Sequence, residues 1–183
     1  MYGAGQPQWG RPAQRPHGDC LTRRRSVSGR IPLEASHSQI PAGLRVTSDP
    51  DPSTHIEATI LVRRRSGPGA SERVDAILRG EAPALSRDEA ATSMGADPED
   101  LDRVTAFAAA QGLTVTEVSP GRRSVRVAGT VARMEAAFGT RLRSCEIAGR
   151  VYICYEGALS IPAELAGIIR AVLGLDQRPV ARR

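Results

Sequence analysis

The chain has 183 residues, of which 40% are hydrophobic, 25% charged and only 3% aromatic, enough for one medium domain and too few for two ordinary ones. No stretch reaches the ~20 apolar residues of a membrane span, and the first thirty residues hold no apolar run of the secretory-signal kind. The net charge of +5 is carried entirely by Arg, with no Lys, and is unevenly placed: residues 1–45 hold 7 Arg against 2 acids, whereas residues 46–183 hold 18 of each. A neutral body with a basic tail lacks the electrostatic footprint of a nucleic-acid-binding domain.

Residues 1–45 contain 6 Gly, 5 Pro and the triplet Arg23-Arg24-Arg25, with no apolar period, and are expected to be disordered. The folded region is expected over residues 46–175. Asp49-Pro50-Asp51-Pro52 reads as a turn leading into a first strand that starts at His55-Ile56. A short helix is expected near residues 71–79. Ser86 followed by Glu89 has capping-box spacing and predicts a helix start. Asp97-Pro98-Glu99-Asp100 predicts another, with Leu101, Val104, Phe107 and Ala108 on one face and Gly112 at its end.

Two alternating runs, Leu113–Val118 and Ser124–Ala128, flank Ser119-Pro120-Gly121 and read as a hairpin. Thr130 caps a helix with Val131, Met134 and Phe138 inward and Gly139 past its end. Leu142–Ile147 and Val151–Tyr155 form a second hairpin around Gly149. Leu165, Ile168, Ile169, Val172 and Leu173 fall at helical spacing and predict a final helix closed by Gly174. The resulting order is that of an α+β, ferredoxin-like split βαβ fold, one antiparallel sheet with its helices on one face.

Few side chains suggest chemistry. Ala91-Thr92-Ser93-Met94 resembles a serine-protease nucleophile fragment, but it lacks the preceding Gly and lies inside a helix, so no catalytic residue is assigned. His17, Cys20 and His37 sit in a tail that cannot fix metal geometry, and no CxxC pair exists; neither metal nor cofactor is expected. Asp97, Glu99, Asp100 and Asp102 are explained by the helix dipole. Arg63-Arg64-Arg65 and Arg122-Arg123 suit either phosphate or solvent. The strands Ile56–Arg64 and Ser124–Ala128 hold no aromatic residue for stacking bases, which disfavours RNA binding.

Cys145 and Cys154 lie directly opposite each other if the turn is centred on Gly149-Arg150. That leaves two readings open, a cross-strand disulfide or two buried thiols, with the thiols preferred because the sequence does not establish the register.

The stretch from Asp97 to Ser144, with QGLTVT at 111–116 and VAGTVARMEAAFGT at 127–140, and the stretch from Tyr155 to Pro179, with IPAEL at 161–165 and VLGLDQRP at 172–179, resemble the activation prodomain of the sedolisin (kumamolisin-like) serine-carboxyl peptidases. The likeness spans about residues 46–180. It implies a ferredoxin-like unit that assists the folding of a peptidase domain and blocks its active site until cleaved off. The family's catalytic Ser, Glu and Asp belong to that other domain, so none is carried over and the chain is not itself an enzyme.

The partner implied is a sedolisin-type catalytic domain. Asp176–Arg183 would be a linker, extended and mobile when unpartnered, with Asp176, Gln177, Arg178, Pro179, Arg182 and Arg183 as peptidase-contacting or processing residues. The alternative is a ferredoxin-like module that binds another protein or a nucleic acid. Export of a precursor would place the chain outside the cell, and the absence of a visible signal leaves the cytoplasm open.

Overall fold

Helix caps and alternating runs lay out nine strands and four α-helices among the described residues, which are 29–41, 44–65 and 70–179 of a computed structural model. In chain order they are β1 (Arg30–Ser38), β2 (Arg45–Ser48), β3 (His55–Val62), α1 (Ala70–Leu78), α2 (Arg87–Met94), α3 (Pro98–Ala110), β4 (Thr114–Ser119), β5 (Ser124–Thr130), α4 (Val131–Phe138), β6 (Leu142–Ile147), β7 (Arg150–Tyr155), β8 (Gly157–Pro162), a 3-10 turn (Ala163–Leu165) and β9 (Ile169–Leu173). The architecture is mixed α and β with antiparallel pairing throughout.

Three helices start on the signals written in the sequence. The Ser86 hydroxyl accepts from the Glu89 backbone N–H while the Glu89 carboxylate accepts from the Ser86 N–H, a complete capping box. The Asp97 carboxylate accepts from the Glu99 N–H, with Pro98 in the first turn. Thr130 caps α4, and Gly139 ends it in the left-handed conformation. Among the described residues no helix is long and apolar enough to cross a membrane.

The central sheet runs β4-β5-β3-β9. Its inner face presents Ile56, Ala58, Ile60 and Val62 of β3 and Val125 and Val127 of β5, all at most 6% exposed. Against it pack α3, through Leu101, Val104 and Ala108, and α4, through Val131, Met134 and Phe138. Phe107 meets Phe138 edge to face, ring centroids 6.2 Å apart. Leu159 and Ile161 of β8 complete this core from the other side of α4.

Several expectations are corrected. Two further sheets, β1-β8 and β2-β6-β7, stand beside the central one, so the chain does not form a single sheet. The expected final helix is instead the 3-10 turn and β9. Ile168, Ile169 and Val172 are β-branched, Gly167 at φ 75° interrupts a helical run, and the free edge of β3 from Thr59 to Val62 offers a full ladder. The tail is not unstructured up to residue 45, because Arg30–Ser38 pairs with β8. Its apolar side chains are too few to reveal a period, and its partner lies some 130 residues away in the sequence. His17, Cys20 and the Arg23–Arg25 triplet lie outside the described residues.

Candidate docking surface

Residues on the outer face of the central sheet alternate with the core residues just described, as the period of two requires. Register places Glu117, Arg126, Thr59 and Leu173 in one cross-strand row and Ser119, Ser124, Leu61 and Ala171 in the next. Leu173 is 49% exposed, and Thr59, Leu61, Ser124 and Ala128 are half-buried. Arg126 and Arg122 both approach Glu117, at 3.2 and 3.9 Å, and such exposed pairs contribute little to stability. The face therefore carries an aliphatic patch at Leu61 and Leu173 among small side chains, with Glu117 of β4 paired to Arg126 of β5 and Glu57 of β3 exposed beside them, a mixed surface suited to a partner that offers apolar contact together with complementary charge. A slipped pair between Val115 and Glu117 marks a bulge in β4, which brings Glu117 opposite Arg126.

At the edge of this sheet lies the C-terminal segment. It is not the free linker that the sequence suggests: the Gln177 N–H donates to the Ile153 carbonyl at 2.8 Å, and the Arg178 guanidinium donates to Asp176, to the Ser38 hydroxyl at 2.8 Å and to the Gln39 carbonyl at 3.0 Å. The Ser38 hydroxyl in turn donates to Asp176 at 2.7 Å. Burial raises the Asp176 pKa, but Arg178, the Ser38 hydroxyl and the Arg178 backbone N–H outweigh it and hold the carboxyl below its ordinary value. Asp176, Gln177, Arg178 and Pro179 are thus brought together on the body, whereas Arg182 and Arg183 lie outside the described residues. Ser38 and Gln39, which complete the cluster, carried no sequence signal because they fall in the stretch read as tail.

The remaining candidates are accounted for locally. Ser93 donates its hydroxyl to the Glu89 carbonyl one turn back at 2.6 Å, inside α2. Arg63 grips the buried Asp100 with two hydrogen bonds of 2.6 and 3.1 Å, so neither the expected solvated strand end nor a phosphate site describes it. His37 lies in β1, and among the described residues no group of three or more His, Cys, Asp or Glu is placed to hold a metal ion.

Cys145 and Cys154 are joined in a disulfide with Cα atoms 6.2 Å apart, but they are not directly opposite. Ala148 and Gly149, both at positive φ, form the two-residue turn, so Cys145 faces Tyr152 and Cys154 faces Arg143. The cross-link is diagonal.

Residues 42–178 match the family model described as "Pro-kumamolisin, activation domain". Among curated proteins the chain is 35% identical over 130 residues to kumamolisin of Bacillus sp. (strain MN-32), covering 69% of this chain and 24% of that protein. It is 26% identical over 168 residues to tripeptidyl-peptidase sed5 of Aspergillus fumigatus, covering 80% of this chain and 28% of that protein. The chain thus spans about a quarter of the length of the curated relatives it matches.

Proposed function

Since the chain belongs to the pro-kumamolisin activation-domain family, a propeptide family of sedolisin-type serine peptidases, we propose that it binds a sedolisin-type catalytic domain, assists its folding and holds it inactive. The observation that carries this reading is the aliphatic patch on the outer face of the central sheet, half-buried Leu61 and exposed Leu173, beside the C-terminal segment. An aliphatic face of this kind supplies most of the buried area in a docked pair, with ~800 Å² per partner needed for a stable complex. A segment at its margin then adds main-chain contacts along a substrate groove. The strand order β4-β5-β3-β9, with α3 between β3 and β4 and α4 between β5 and β9, supports the ferredoxin-like reading of the docking unit.

The test is inhibition in trans. The purified chain is expected to slow a sedolisin-type peptidase at micromolar concentration while showing no peptidase activity of its own. Leu173→Arg should weaken that inhibition at least about tenfold, because it replaces the most exposed aliphatic side chain of the patch with a charge, and should leave the melting temperature within a few degrees of the parent. Unaltered inhibition by the variant would remove the outer face from the docking model. Absence of inhibition by the parent across several such enzymes would remove the function.

A further inference from the structure

β1 lies N-terminal to the residues that match the family model, yet it is attached to several separate parts of the molecule. Arg30 donates to the Ala137 carbonyl at the C-terminus of α4, at 2.6 Å, and to Ser160 of β8. Leu33 enters the core. Between Leu33 and His37 the pairing with β8 slips. In that irregular stretch Ser36 leaves the β8 ladder and bonds the backbone of Val172 on the outer edge of β9. Ser38 and Gln39 then reach the C-terminal segment.

That last attachment is chemically different from the others. Asp176 and Arg178 are two residues apart and already form a two-pronged pair, with side chains only 25% and 15% exposed. Ser38 acts on both at once, donating to the carboxylate and accepting from the guanidinium, and Gln39 takes another guanidinium proton. Shielded, charge-assisted bonds of this kind are roughly twice as strong as neutral ones, so the segment's freedom depends on β1.

We propose that β1 is a strap, and that Ser38 and Gln39 are positioning residues that hold Asp176–Pro179 against the body and so set how this segment is presented to a peptidase domain. The presentation clause rests on the prodomain reading above; the strap itself does not. Loosening the contacts of Ser38 and Gln39 frees the segment while Ser36 still holds the edge of β9.

The experiment uses the full chain and reads amide hydrogen exchange at Gln177, whose N–H bonds Ile153. Ser38→Ala and Arg178→Ala are each expected to speed that exchange about tenfold or more, and Arg178→Lys, which keeps the charge but loses the planar fork, should fall between them and the parent. Amides of β3 and β5 should keep their protection, which shows that each variant is folded. Unchanged exchange at Gln177 in Arg178→Ala would overturn the strap. The same proteins are then assayed against a sedolisin-type peptidase, where Arg178→Ala should change inhibition at least about threefold. Faster exchange with identical inhibition would overturn the presentation clause, and no inhibition by the parent would overturn the prodomain reading while leaving the exchange result to decide the strap.

Discussion

The hydroxyl of Ser36 both donates to the carbonyl of Val172, at 3.3 Å, and accepts from the N–H of Val172, at 2.8 Å, so a single side chain stands in for a strand at the edge of β9. The Tyr155 hydroxyl donates to the Ser36 carbonyl at 2.8 Å, and burial pushes the Tyr155 pKa up, with the nearby Asp176 charge adding to it. Three sheets thereby meet at one serine, which is 5% exposed.

Ser36→Ala should cost about 2–6 kcal/mol, because it leaves a buried N–H and a buried carbonyl of Val172 unpaired at about 1–3 kcal/mol each. Urea denaturation of parent and variant measures the difference. A loss below half a kcal/mol would mean that water replaces the hydroxyl and that β9 is not sealed at this edge.

The Arg63–Asp100 pair is asymmetric, with side chains 45% and 4% exposed, and its two truncations should differ accordingly. Arg63→Ala strands a carboxylate in the interior and should cost about 3–5 kcal/mol. Asp100→Asn leaves a half-exposed guanidinium that water can solvate and keeps one acceptor, at about 1–2 kcal/mol. Equal losses, read from the same denaturation curves, would contradict this order.

The Asp176 carboxyl is held below its ordinary value of 3.8 in the folded chain, so the unfolded state binds the proton more readily. Its contribution to stability is therefore fully present above about pH 4 and is lost as pH falls through the folded-state value. The stability gap between the parent and Asp176→Asn should be level from neutral pH down to about pH 5 and should close below pH 4. A gap that widens on acidification would have the wrong sign.

In the Cys145–Cys154 pair both residues are fully buried. Alkylation of the denatured, unreduced protein should label neither, and reduction should make both reactive. Cys145→Ala with Cys154→Ala should lower stability by up to about 3 kcal/mol, the chain-entropy value for so short a loop, and less insofar as the β6–β7 turn already restricts it. Complete labelling without reductant would replace the disulfide with two thiols.

The elements that could be read directly from the sequence are those whose causes are local. Ser86 with Glu89, Asp97 with Pro98, and Thr130 with Gly139 bound three helices because each cap satisfies backbone groups within one turn. The alternation in β3 and β5 was visible because one face of each strand is buried and the other is not, and that in β4 because half-buried positions alternate with exposed ones. Residues 111–116, 127–140 and 172–179 carried the family likeness for a related reason: they are contiguous.

What only the tertiary structure decided has distant causes. Leu165–Leu173 has a helical spacing of apolar residues, yet the open ladder of β3 and the β-branched side chains make it strand β9. Ile31, Leu33, Ser36 and Ser38 have no periodic signal of their own and become ordered only through partners more than a hundred residues away. Asp176 and Arg178 look like linker until Ser38 and Gln39 are placed beside them. A chain can state its own local hydrogen bonds, whereas pairing across such separations is selected by the whole fold, because only the assembled core offsets the entropy of closing those loops.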